Sequence, residues 1–243
     1  MGMHITVEIV GTAPANDAIE KVFSYFTYID EKFSTYKDTS EITKINKGEL
    51  RESEYSEDMK IVLSLCEKTK NETGGYFDII ARDGSCDPSG LVKGWSIHNA
   101  SKILLENGCE NFYIDAGGDV QVHGCNAEGK AWSVGIKNPF NPKEVVKVVY
   151  ARHEGIATSG TYIRGQHIYD PKDRSKPITE IVSLTVIGPD VYEADRFATA
   201  AFAMGTQGID FIEKLPGFEG YVIEKNGTAI MTSGFNGYTK TYA

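Results

Sequence analysis

The chain opens with apolar and polar side chains alternating from Ile5 to Val10, rich in β-branched types, which predicts a strand. The period then changes. After Pro14, apolar residues recur at intervals of three and four (Ile19, Val22, Phe23, Phe26, Ile29 and Phe33), which predicts a helix with one broad core-facing stripe. A second helical period runs from about Ser56 to Thr73 through Ile61, Val62, Leu65, Cys66 and Thr69, and Gly74-Gly75 supplies its stop. Tyr76 to Ala81 is next, a short predicted strand. A third helix, about Leu91 to Glu106, turns Val92, Trp95, Ala100, Ile103 and Leu104 inward and ends at Asn107-Gly108.

Strand-like runs dominate the second half of the chain: Phe112 to Ile114, Val120 to His123, Ala131 to Lys137, Val145 to Arg152 and Ile181 to Ile187. Helices are predicted over Val191 to Met204 and Gly208 to Lys214. The chain then closes with two apolar runs, Gly220 to Glu224 and Ala229 to Thr232, separated by Asn226-Gly227, a strong hairpin signal. No repeat, low-complexity stretch or linker divides the sequence. The pattern predicts an α+β fold, a mostly antiparallel sheet with packed helices, in one unit over residues 1–243 or two interlocked lobes.

Composition narrows the partners. Hydrophobic residues make up 41% and charged residues 24%, enough for a sizeable core in a chain of 243 residues. The net charge of -9, with no Lys/Arg cluster, argues against nucleic acid, whose phosphates draw affinity from basic side chains. A pyrophosphate can still be held, but only where helix N-termini, backbone amides or a divalent cation cancel the charge locally. Cys66, Cys86, Cys109 and Cys125 lie far apart without metal-ligand spacing and read as free thiols. MGMHITVEIV has no basic segment followed by a long apolar one, so the chain as given reads as cytoplasmic, with no transmembrane segment.

Five glycine-marked segments carry polar residues where elements end: Gly74 to Asp78, Asp87 to Gly94, Asp115 to Asp119, Thr158 to Thr161 with His167 to Pro171, and Ala194 to Ala200. Each has a structural explanation as a helix stop or turn. Together they also suit backbone amides approaching a phosphate, although none matches the dinucleotide or P-loop fingerprints. In the last segment Asp195 and Thr199 are four apart on a predicted helix and so share a face. A carboxylate and a hydroxyl there offer hard oxygen ligands of the kind magnesium takes; alternatively Asp195 caps the helix and Thr199 packs among alanines.

In their order these segments resemble the ApbE family of FAD:protein FMN transferases. The resemblance extends to Met-Gly-Met before the first strand, Ser34-Thr35-Tyr36, Asp38 to Ile42 and Asn46, and so runs nearly end to end. It implies an enzyme that cleaves FAD in a Mg2+-dependent reaction and passes FMN to a Thr or Ser hydroxyl of an acceptor protein, releasing AMP. It further implies side-chain metal ligands at Asp195 and Thr199, with the carbonyl of Gly90 beside them. Met1, Met3, Tyr36, Gly75, Phe77, Asp78, Lys93, Gly117, Gly118, Asp119, Thr158, Ser159, Gly160 and His167 would contact FAD, and His167 would serve transfer. Two stretches differ from the family pattern: Pro88-Ser89-Gly90-Leu91-Val92, where Gly or Ala and then Ile-Ala usually precede Lys-Gly, and Arg196, where an aliphatic residue often stands.

The same residues would serve hydrolysis of FAD to FMN and AMP, or FAD binding without turnover. Family members usually carry a lipoprotein segment ahead of the folded part, which implies a membrane-anchored form if the N-terminus was trimmed. The acceptor in the family is typically a Thr within Asp-Gly-x-Ser/Thr-Gly-x-Thr of a redox subunit, and no such stretch occurs here.

Overall fold

A computed structural model describes residues 2–11, 15–81, 83–161, 168–173 and 177–240. Pro14 lies outside them. Within them the chain forms β1 (Ile5–Ile9), α1 (Ala15–Phe33), α2 (Glu41–Asn46), α3 (Glu57–Glu72), α4 (Ser89–Glu106), β2 (Phe112–Ala116), β3 (Asp119–His123), β4 (Trp132–Asn138), β5 (Asn141–Ala151), β6 (Gly155–Gly160), β7 (Ile181–Gly188), α5 (Val191–Ala203), α6 (Gly208–Glu213), β8 (Glu219–Glu224) and β9 (Ala229–Met231). Seven strands make one antiparallel sheet in the order β1-β2-β3-β6-β7-β8-β9, and β4 pairs with β5 in a separate ribbon. The mixed fold with a mostly antiparallel sheet is as expected.

The layers reflect which face of each strand is apolar. Ala157, Leu184 and Val186 meet Ala194, Phe197, Ala198 and Ala201 of α5 on one side of the sheet. Ile156, Ile187, Tyr221 and Ile223 face the opposite way, against Trp132, Val134, Ile136 and Val149 of the β4-β5 ribbon. The stripe of α1 is divided between two clusters. Ala18, Val22 and Phe26 pack on α4 and on Phe112, Ile114 and Ala116 of β2, whereas Ile29 and Phe33 join α2, α3 and α4 around Trp95. Phe23 and Ile61, expected to face the core, are instead on the outer surface, at 42% and 45% exposure. Each adjoins a residue that does face the core, Val22 or Val62, and the rotation of about 100° per residue carries it off the buried arc.

Two stretches depart from the sequence pattern. Tyr76 to Ala81 is irregular chain with a single bridge, Ile80 to Cys86. Gly74 and Gly75, at φ 59° and 86°, turn it away from the sheet, and Phe77 is buried among the helices instead. Conversely, β6, which runs Gly-Ile-Ala-Thr-Ser-Gly, lies at the centre of the sheet between β3 and β7. Its small residues hide the strand signal, and packing explains them. A Cβ on Gly155 would lie 1.9 Å from the Val191 nitrogen, so only glycine there lets the N-terminus of α5 seat on the sheet. That nitrogen donates to Gln121 Oε1 of β3 at 2.8 Å.

The four cysteines are free; burial pushes the Cys66 thiol up and that of Cys86 up to about 11, which leaves both unreactive near neutrality. No helix among the described residues is long and apolar enough to cross a membrane.

The seating of α5 predicts that Gly155→Ala costs about 3 kcal/mol, seen as a fall in Tm of about 10 °C. Gly237→Ala, where a Cβ meets nothing within 4 Å, serves as the control and leaves Tm within about 2 °C.

Candidate active site

The helix that carries Asp195 and Thr199 is fixed before either side chain is considered. Asp190 caps α5 by accepting from the Glu193 nitrogen at 2.9 Å, and Gln121 accepts from the Val191 N–H. The cap is therefore Asp190, and Asp195 lies a full turn inside the helix. Arg196, the neighbour of Asp195, is buried on the α3 side of α5. Its Nε donates to Glu193 Oε2 at 2.8 Å and its Nη1 to Thr69 Oγ1 at 3.3 Å, with Glu72 a further partner. The guanidinium also lies 3.9 Å from the Phe197 ring centroid. An arginine is tolerated at this buried position because Glu72 and Glu193 stand there to pair with it.

Helix α4 crosses α5 at Gly94. A Cβ on that residue would lie 2.6 Å from Asp195 Cβ and 2.7 Å from the Val191 carbonyl oxygen, so the backbones meet only because the side chain is absent. The Gly94 N–H donates to Asp195 Oδ2 at 2.8 Å. In a regular helix that N–H is the partner of the carbonyl four residues back, which here is Gly90. The Gly90 carbonyl in turn accepts from Thr199 Oγ1 at 3.4 Å. A carboxylate, a hydroxyl and a carbonyl thus approach one another from two helices.

Charge is concentrated beside them. Lys93 Nζ lies 2.5 Å from Asp119 Oδ2 and 3.5 Å from Asp195 Oδ1, and the two carboxylates are 1% and 2% exposed. Asp119 Oδ1 accepts from the Thr158 nitrogen at 3.1 Å, and Thr158 Oγ1 pairs with Thr185 Oγ1 at 2.8 Å. Asp119 Oδ2 takes no well-angled hydrogen bond, so its contact with Lys93 is coulombic. Burial pushes the Asp195 carboxyl up to about 8; Lys93 opposes this and Asp119 adds to it.

Asp195, Thr199, Gly90 and Lys93 lie at the floor of a cleft of about 350 Å³. Of the residues expected to bind, Met3, Tyr36, Phe77, Asp78, Gly90, Lys93, Gly117, Thr158, Ser159, Gly160, Asp195 and Thr199 line it. Tyr36 is 97% exposed at the rim, while Phe77 is buried in the wall. Gly117 and Gly118, both with positive φ, make the two-residue turn between β2 and β3, and Met3 Sδ sits 3.0 Å from where a Gly117 Cβ would be.

Three expected binding residues do not line the cleft. Gly118 is spent on the turn, its nitrogen donating to Asp115 Oδ1 at 2.8 Å. A Cβ on Gly75 would lie 3.8 Å from Lys172 Cε, and Asp119 touches the lining residues Lys93 and Thr158 without lining the cleft itself. Met1 and His167 lie outside the described residues. Asp30 and Phe33 of α1 line the cleft as well, and the helical period alone marked Phe33 as core and gave no reason to single out Asp30.

The three converging oxygens are hard donors, and a desolvated carboxylate beside a second one is a place where added positive charge is favourable, so the set suits a hard divalent cation. Among the described residues no group of three or more His, Cys, Asp or Glu side chains converges, so such an ion would depend on the Gly90 carbonyl and on its ligand's own oxygens.

A family model described as "ApbE family" matches residues 1–85 and 80–222. FAD:protein FMN transferases of Klebsiella pneumoniae and Escherichia coli are 30% identical over 156 residues, 60% of this chain and 44% of theirs. The matched stretch is thus less than half the length of these relatives. An ApbE protein from Thermotoga maritima superposes with a TM-score of 0.87 at 21% identity, over 98% of this chain and 96% of that one. The flavin transferase ApbE of Vibrio cholerae gives 0.84 at 22% identity, over the same shares. At these identities the two structures establish the fold.

Because burial raises the folded carboxyl of Asp195 above its unfolded value of about 3.8, its contribution to stability is complete below about pH 4 and declines as pH rises toward about 8. In EDTA, Asp195→Asn therefore gains stability over the parent between pH 5 and pH 8, by at least about 1 kcal/mol in urea titrations.

Proposed function

The chain belongs to the ApbE family, and from that membership we propose that it cleaves FAD and passes the FMN half to a Thr or Ser hydroxyl of an acceptor protein. Transfer of FMN from FAD to protein is the activity for which its Klebsiella and Escherichia relatives are named. The observation that carries the reading is the convergence of Asp195, Thr199 and the Gly90 carbonyl at the floor of a cleft whose wall holds Phe77 and whose rim holds Tyr36.

Phosphoryl transfer asks mainly for alignment and charge neutralisation. The acceptor oxygen forms a bond to the phosphorus of the FMN half, the bond from that phosphorus to the bridging oxygen breaks, and AMP leaves carrying that oxygen. Asp195, Thr199 and Gly90 would hold Mg2+. When bound, that ion supplies positive charge at the pyrophosphate oxygens, in a protein whose net charge is -9. Lys93, which also lines the cleft, adds a donor for phosphate. Tyr36, Phe77 and Met3 offer apolar and aromatic surface for the flavin, and the Gly117 turn and Thr158 to Gly160 bound the remaining space. His167 would take the proton of the attacking hydroxyl.

Asp195→Ala and Thr199→Ala each remove one oxygen ligand. With FAD and Mg2+ supplied, we expect AMP formation to fall at least about 100-fold for Asp195→Ala and about 10-fold for Thr199→Ala, with both proteins folded by circular dichroism. AMP released by Asp195→Ala at the parental rate would remove the metal assignment.

A further inference from the structure

Lys93 stands between two buried carboxylates of different environment. Asp119 is held from β6 by the Thr158 N–H and its second oxygen lies 2.5 Å from the ammonium; Asp195 has the Gly94 N–H on one oxygen and the ammonium, at the longer distance of 3.5 Å, on the other. Two nearly solvent-free carboxyl groups facing one another repel whenever both are ionised, and the repulsion is then large at low local polarity. The ammonium offsets it. The Asp195 oxygen that Lys93 approaches is Oδ1, whereas Oδ2 is held by the Gly94 N–H. Oδ1 is therefore the oxygen left for any cation arriving beside Thr199 and Gly90.

We propose that Lys93 is the resident counter-cation of the Asp119–Asp195 pair, so that a divalent cation binding at Asp195 does so in competition with the Lys93 ammonium. This rests on the reading of Asp195, Thr199 and Gly90 as the cation site. Lys93 keeps its 2.5 Å contact with Asp119 when Asp195 is taken, and, since Lys93 lines the cleft, the ammonium is then available to an anionic group of the ligand. Cation and anionic ligand thereby favour one another's binding through one side chain, a reciprocal coupling. The cost is that cation affinity without ligand is held below what the carboxylates alone would give.

Mn2+ binding measured by electron paramagnetic resonance on the whole protein above about pH 8, where the Asp195 carboxyl is ionised, with no nucleotide or flavin present, tests this. Lys93→Met removes the charge and keeps an unbranched apolar stem of similar reach, and it is expected to bind Mn2+ at least about tenfold more tightly than the parent. Lys93→Arg, which retains the charge, is expected to stay within about threefold of the parent. If the two uncompensated carboxylates prevent Lys93→Met from folding alone, Mn2+-dependent recovery of its Tm, at concentrations below those that shift the parent, is the supporting result. Parental or weaker Mn2+ affinity in Lys93→Met, in a protein whose binding is lost in Asp195→Asn, would overturn the competition and leave the cation site standing. Undiminished binding in Asp195→Asn would overturn the cation site and the competition together.

Discussion

Gly94 and Asp195 bring two helix backbones closer than any side chain at residue 94 would allow, and the arrangement of the cleft depends on that approach. The Gly94 N–H turns toward a buried carboxylate, the Gly90 carbonyl one turn back lies near Thr199, and Lys93 is aimed between Asp195 and Asp119. The approach has a second requirement on the other side of α5. Gly155 must be bare for Val191 to reach Gln121, or the helix could not lie where Gly94 meets it. Two glycines, one on a helix and one on a central strand, therefore set the position of a carboxylate that belongs to neither element.

Electrostatics explains why the site is built with so little spare charge. An acidic protein that buried Asp119 and Asp195 without compensation would lose much of its stability, since desolvated like charges are among the costliest features a core can hold. One lysine serves both carboxylates, and burial keeps the Asp195 carboxyl well above the usual range. On the far side of α5 the opposite problem, a buried guanidinium, is solved by Glu72, Glu193 and an aromatic face. The helix thus carries one under-compensated group toward the cleft and one fully partnered group away from it. Such an arrangement favours cation binding on one face while holding the helix rigid from the other.

Much of this was legible in the sequence, for reasons that differ by residue. The spacing of Asp195 and Thr199 put them on one face, but it left open whether Asp195 was a cap; Asp190, five residues earlier, settles that by accepting from Glu193. The Asn226-Gly227 turn and the long periodic helices were clear because local chemistry specifies them. The strand Gly155–Gly160 was hidden because its residues answer to the packing of α5 rather than to strand propensity. Tyr76 to Ala81 misled for the converse reason: Phe77 is apolar because it is buried among helices, not because it alternates in a sheet. Asp30 gave no signal at all, since one of several acidic residues on an amphipathic helix reads as a solvated face until the fold places it at the cleft.

We propose that the cleft delivers FMN to a protein hydroxyl rather than to water. Intact-mass spectrometry of a redox subunit bearing a candidate Thr or Ser, after incubation with the chain, FAD and Mg2+, tests it most directly. The acceptor is expected to gain the mass of one FMN less one water, with one AMP released for each acceptor modified. Free FMN and AMP accumulating beside an acceptor of unchanged mass would contradict it.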